Sequence, residues 1–486
     1  MKMSILVGLS VVLLCLVWRF RPGIPGWPRS SAASAVESYW RTWVCFLLSS
    51  MAASSAVMVL VDAPGIESAL GYARWLFSAH AGTDSWMPML RASEHLRMHP
   101  DIPVFPAVFF EQHVKFQYPL TALLVLDVPM ALFRVDGATV VTALQILSRL
   151  CVPVIGVVFF KLFMGAAQPS NPDSRLPLQS TAFLMGLCFV SVILFYPISR
   201  SEFHGQIQTS MTLAAALALL AWQRGNPKLA GVLIALCCVI KPQWAIVILW
   251  ALLRRQWVFA VSATLTTGVF LLIATAMYGL GNMLDYVSVV SFLGRHGESY
   301  FINQSVNGLM NRLLFNGVNL QGAGLVWSGT DFPPFHPVVY AATLVSSILV
   351  LGLAMLWNVT KRPGTLDLAL IMLALTIASP IAWDHHYGVL FPIFAVVFPA
   401  ALQRRPWGRW TLPILWGTFV LTSQSFNTAT NLFAGTRFNF LQSYLFFGAL
   451  MMLALLCRLS SQERPAAPGA HAGEPQPRSA AEASLQ

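Results

Sequence analysis

Charge is what this chain has least of. Only 10% of its 486 residues are charged, while 56% are hydrophobic. A soluble globular surface cannot be built from that supply, so most of the chain belongs in a bilayer. Short alternating strands are lacking too, which excludes a transmembrane barrel. There is no Walker P-loop, no G-x-G-x-x-G after a strand and no serine-hydrolase elbow. A soluble nucleotide-sugar domain is likewise missing. The cysteines (Cys15, Cys45, Cys151, Cys188, Cys237, Cys238 and Cys457) form no C-x-x-C pair. They lie in or at the ends of apolar runs and read as small buried hydrophobes.

What is present is a series of apolar runs, most of them about 20 residues, the length a spanning helix needs. They fall at 3–18, 41–62, 118–135, 139–164, 179–198, 206–223, 228–240, 242–254, 257–279, 336–357, 365–381, 386–403, 410–426 and 440–458. The fold class expected is all-α, a polytopic transmembrane protein of roughly 12–14 membrane segments. One membrane domain covers 1–458, and a disordered cytoplasmic tail rich in Ala, Pro, Gly and Glu covers 459–486. Residues 3–18 read as an uncleaved first span, because Arg19, Phe20 and Arg21 follow where a small-residue cleavage site would be needed. The run 139–164 contains Pro153, which leaves open one span or two short segments.

The net charge of +11 fits cytoplasmic loops beside anionic lipid, with no basic aromatic stripe for nucleic acid. Basic clusters at Arg19, Arg21, Arg29 and Arg41, at Arg254 and Arg255, at Lys361 and Arg362, and at Arg404, Arg405 and Arg409 mark the cytoplasmic side. The outer side then holds a first loop, 63–117, a second large loop, 280–335, and the turn around 380–385. This geometry predicts a plasma or inner membrane protein with an extracytoplasmic site.

Polar residues beside or within spans are costly and are the functional candidates. Residues 83–98, TDSWMPMLRASEHLRM, predict a helix capped by Thr83, Asp84 or Ser85, with Trp86, Met87 and Leu90 suited to the membrane interface. Asp84 is either that cap or a general base just above the membrane. His95 and His99 are four apart but lack the neighbouring Glu of a zinc hydrolase. Lys241-Pro242 breaks an apolar stretch whose flanks, Arg224 with Lys228 and Arg254 with Arg255, are both basic. Two helices therefore meet at a break, and Lys241 either snorkels to water or serves the site. Asn303, Gln304 and Ser305 with Arg312, and His385 with His386, read as surface groups or as ligands for sugar and phosphate. No cofactor is expected. A divalent metal is not favoured, for want of a carboxylate cluster.

Taken in order, TDSWMPMLRA (83–92), FQYPLTALL (116–124), HGQIQTSM (204–211), the IKPQ break, NQSVNGLMNR (303–312) and SPIAWDHHY (379–387) resemble the GT-C integral-membrane glycosyltransferases. More narrowly they resemble glycosyltransferase family 87, the polyprenol-phosphate-mannose-dependent mannosyltransferases. The resemblance implies transfer of a hexose, mannose by family name, from a polyprenyl-phosphate sugar to an extracytoplasmic lipid or glycan acceptor, with inversion. It implies Asp84 as the base. Lys241 and Arg312 are then candidates for the donor phosphate, and His204, Gln206, Asn303, Gln304, Ser305, His385 and His386 for orienting donor or acceptor. The chain departs from the pattern in the long insert 99–113 and in having one proline in FQYPL. The rival class is a multispan transporter or flippase, which a matching broken helix in the second half would favour.

Overall fold

The computed structural model describes residues 32–61, 69–76, 82–167, 178–322, 324–328 and 331–462. The expected first span at 3–18, Cys15 and the tail beyond residue 462 lie outside these. Among the described residues there is no strand, only two isolated bridges, Val114 with Val326 and Asn303 with Trp383. The chain is an all-α polytopic membrane protein. Six helices are long and apolar enough to cross a membrane: Val36–Leu60, Gly137–Ala167, Trp257–Tyr278, Pro337–Leu356, Asp384–Arg404 and Asn439–Ser461. A seventh candidate, Ser180–Ile193 with Tyr196–His204, bends by 61°. The last helix runs to Ser461, so the expected tail begins later than residue 459.

The aromatic content explains how the bundle packs. Trp43 is fully buried, with its ring 5.0 Å from Phe159 and Phe419 and 5.2 Å from Phe398. Its indole N–H donates to Ser191 Oγ at 3.0 Å. One ring thus ties four segments together and leaves no polar atom unpaid in an apolar core. By contrast, Trp257–Tyr278 and Pro337–Leu356 keep rows of Val, Leu and Ile exposed, as lipid-facing helices do.

The two ends of the bundle differ chemically. At one end the basic loops converge. Arg254 donates to the carbonyls of Trp357 and Asn358, Lys361 to Ser461 O, and Arg404 to Leu459 O. At the other end lie Asp84, His204, Lys241 and the 379–386 turn.

The contacts settle one open alternative and correct one expectation. Gly137–Ala167 is one unbroken helix despite Pro153. The run 118–135 does not cross. Thr121 Oγ1 donates to Val239 O, Asp127 accepts from Ser93 and Tyr278, and the start of the next helix, Gly137, packs on Leu90, so this segment stays at the site end throughout. Polar partners from neighbouring segments also explain how Asp127 is tolerated in an apolar run.

The Lys241 break is a hairpin. Pro227–Ile240 starts beside the basic end, capped by Asn226, whose side chain accepts from Leu229 N. Ile246–Leu253 returns there, with Trp250 5.9 Å from Trp222. Fourteen residues at about 1.5 Å each reach about 21 Å, short of the ~30 Å hydrocarbon thickness. Lys241, extended at the apex, therefore sits below the far surface.

Candidate active site

Asp84 is brought to its position by backbone docking. Gly82 N donates to Phe203 O and Asp84 N to His204 O, both near 3 Å. Helix Tyr196–His204 ends at Gly205, whose φ of +66° suits glycine. A Cβ there would overlap the Gly82 carbonyl oxygen. The helix predicted over 83–98 runs from Trp86 to Met98. Its first position is preceded by Ser85, and no side chain caps it, so Asp84 is not an N-cap. Trp86 is buried in the core instead of facing the membrane interface, while Met87 lines a cavity.

The freed carboxylate turns to the HGQIQ segment. His204 Nδ1 is 3.1 Å from Asp84 Oδ2, and Gln206 Nε2 donates to the same oxygen at 3.5 Å. Ser85 holds Gln206 in turn, donating to its Oε1 at 2.8 Å while accepting from Ile207 N. Burial raises the Asp84 carboxyl, but the His204 hydrogen bond and charge, together with His385 and Gln206, outweigh it and hold the group below its ordinary value. Tyr118, which shares a 2.8 Å hydrogen bond with Ser85, is pushed up to about 12 by burial and by the Asp84 charge, so it keeps its proton.

Asp84 lines a cavity of about 460 Å³. Its polar wall also carries Lys115, Gln117, Tyr118, Lys241, Trp383 and His386. Its apolar wall comes from membrane helices, through Ile240, Ile246, Leu351 and Leu375. Lys241 Nζ donates to Gln208 Oε1 at 3.0 Å and lies 2.7 Å from His386 Nε2. Both partners are neutral when His386 accepts, so the ammonium charge has no carboxylate among these partners.

Other candidates serve the frame. Arg312 is 1% exposed and donates to the carbonyls of Ser299, Tyr300 and Asn303 and to Ser443 Oγ. It does not line the cavity. Asn303, Gln304 and Ser305 are also buried away from it. Asn303 Nδ2 donates to Glu298 O and Pro380 O, Gln304 Nε2 to Phe301 O and Gln442 O, and Ser305 caps Val306–Leu313 by accepting from Gly308 N. Asn303 thereby ties residues 298–303 to the 379–386 turn, and Gln304 ties the segment to Gln442, both away from the cavity wall. His385 faces inward on Asp384, Nδ1 to Oδ1 at 3.4 Å, and Tyr196 and Arg200 also meet that carboxylate. Only His386 of the pair lines the cavity. His95 and His99 have ring centroids 5.4 Å apart, and among the described residues no cluster of three metal-ligating side chains forms.

Lys115 and Glu298 went unread in the sequence, whereas Trp383 belongs to the 379–386 segment already singled out. Lys115 Nζ is 2.7 Å from Glu298 Oε1, and Trp383 Nε1 donates to Glu298 Oε2. The position of Lys115 directly before FQYPL was the available signal.

Glycosyltransferase family 87 matches residues 116–380, more than half of the chain. The chain belongs to this family. Within this family 87 chain the match takes in His204, Gln206, Lys241 and the 303–312 segment, and leaves Asp84, His385 and His386 outside it. The chain is also similar to the polyprenol-phosphate-mannose-dependent alpha-(1-2)-phosphatidylinositol pentamannoside mannosyltransferase of Mycobacterium tuberculosis (strain CDC 1551 / Oshkosh), with 26% identity over 252 residues. That alignment covers 50% of this chain and 51% of the relative, so the chain spans about half the length of the relative it matches. No solved structure matches the chain.

Proposed function

We propose that this family 87 chain is a membrane glycosyltransferase that moves a hexose, mannose in the first instance, from a polyprenyl monophosphate to a hydroxyl of a lipid or glycan acceptor. The observation that carries the reading is the cavity itself. It joins a carboxylate, a lysine without an acidic partner and walls of lipid-embedded apolar side chains. An isoprenoid phosphate needs that combination: greasy surface for the chain and a fixed cation for the phosphate. The relative's printed dependence on polyprenol-phosphate-mannose supports the choice of donor.

In this mechanism Asp84 takes the proton of the acceptor hydroxyl. The hydroxyl oxygen then bonds to the anomeric carbon as the carbon–oxygen bond to phosphate breaks, with inversion. The electron pair leaves with the polyprenyl phosphate, and Lys241 compensates the charge that grows there. His204 and Gln206 aim the carboxylate, and His386 steadies the Lys241 ammonium. The site opens on the extracytoplasmic face of the cell membrane. The clustering of Arg254, Lys361 and Arg404 at the far end of the bundle supports that side.

The transporter alternative loses ground. Among the described residues the breaks at 194–195 and at Lys241 lie in the first half, whereas the second-half spans Pro337–Leu356 and Asn439–Ser461 show no such break. The direct test is transfer of radiolabelled mannose from polyprenyl-phosphate-mannose to membrane lipid and glycan by the purified protein. Labelled product supports the reading. Labelled donor carried across vesicle membranes without product supports transport.

A further inference from the structure

The cavity holds two lysines in unlike electrical settings. Among the described residues Lys241 meets an amide oxygen and an imidazole. Lys115 is already neutralised. Its ammonium pairs with Glu298, whose side chain is 2% exposed, and lies 4.8 Å from the centroid of the Trp383 ring. Glu298 is fixed from several sides. Its N–H donates to Asn307 Oδ1, its carbonyl accepts from Asn303, and its second carboxylate oxygen accepts from the Trp383 indole N–H. The Asn303–Trp383 bridge and the Lys115 N–H to Leu325 O bond hold the same unit in register.

A neutralised ammonium has little to offer a phosphate, yet it keeps donors. An –NH₃⁺ carries three hydrogens, and an ion pair with a single carboxylate oxygen leaves at least two of them to offer. The neighbouring half-buried indole gives a flat apolar surface with its polar edge already satisfied. Donors for hydroxyls beside an aromatic surface for C–H faces are what a hexose presents a use for. An anionic chain end would prefer the unpaired cation.

We propose that Lys115 and Trp383, locked by Glu298, form the sugar subsite of the cavity, while Lys241 holds the phosphate. The assignment rests on the donor reading above. It makes Lys115 a specificity residue that reads hexose hydroxyls and contributes nothing to lipid-phosphate affinity.

The test is binding of two lipids, polyprenyl phosphate without sugar and polyprenyl-phosphate-mannose, to the purified full chain in nanodiscs. The variant is Lys115→Met with Glu298→Gln, which removes the pair without leaving a buried charge alone. The expected result is unchanged affinity for polyprenyl phosphate and a loss of about tenfold for the mannosylated lipid, the scale of one charge-assisted hydrogen bond. Lys241→Met is expected to weaken both lipids alike. Equal loss of both lipids in the Lys115 variant would make Lys115 a phosphate ligand and overturn the proposal. No loss of either would reduce the pair to a structural tie and overturn it equally. If the double variant fails to fold, Lys115→Arg decides by the same comparison, since it keeps the ion pair but replaces the compact ammonium with a planar fork. A wild-type protein that binds neither lipid would sink the donor reading first, and the subsite with it.

Discussion

Asp84 Oδ2 stands 3.1 Å from His204 Nδ1, across a backbone contact in which Asp84 N donates to His204 O. The Asp84 carboxylate and the His204 imidazole are thus one unit, joined through main chain as well as side chain. Neither is held by a long flexible arm.

That contact sets a pH signature. Burial raises the Asp84 carboxyl, and His204 leads the groups, with His385 and Gln206, that together lower it below its ordinary value. The stabilisation from this pairing is present above the ordinary carboxylate range and is lost as pH falls through the lowered value. Replacing His204 by Gln removes the leading downward influence. The acid limb of kcat/KM is expected to move to higher pH in His204→Gln, and a pH–rate series on both proteins measures it. An unmoved limb would separate His204 from the base.

Gly205 is a structural test of the same unit. Its φ is +66°, and a Cβ would strike the Gly82 carbonyl oxygen. Gly205→Ala is expected to push the Gly82–Asp84 segment off the His204 turn. Transfer falls by about a hundredfold, the cost of misplacing a reacting group by an ångström, while donor affinity stays near wild type. Single-turnover transfer beside equilibrium donor binding distinguishes the two effects.

Arg312 predicts a loss of stability. Its guanidinium answers three main-chain carbonyls and a serine from full burial. Arg312→Met leaves those carbonyls without a donor and is expected to cost about 3 kcal/mol or more. Thermal unfolding in detergent reads this as a lowered Tm, and the folded fraction keeps its KM for the donor.

How much of this was legible follows from which interactions are local. Apolar runs declare spans because a helix satisfies its own backbone, so Val36–Leu60 and Asn439–Ser461 could be drawn from composition alone. The Lys241 break was readable for the same reason, since Pro242 removes a ladder donor. The 118–135 run misled because hydropathy records greasiness, not direction. Its return to Leu90 and Val239 depends on partners far along the chain. Polarity is equally silent on direction at Asn303, Gln304 and Arg312, which the structure buries away from the cavity. A buried network and a ligand site call for the same side chains, and only their hydrogen bonds tell them apart. Lys115 and Glu298 are 183 positions apart, and nothing at either position announces the other.

The most direct measurement is single-turnover transfer from radiolabelled polyprenyl-phosphate-mannose by wild type and by Asp84→Asn, with donor binding measured on the same samples. Asn keeps a hydrogen-bonding side chain beside His204 and Gln206 but cannot accept the proton. The account predicts donor binding close to wild type and transfer reduced by about 10²–10⁴-fold, the usual share of general-base catalysis. Transfer by Asp84→Asn at the wild-type rate would contradict it.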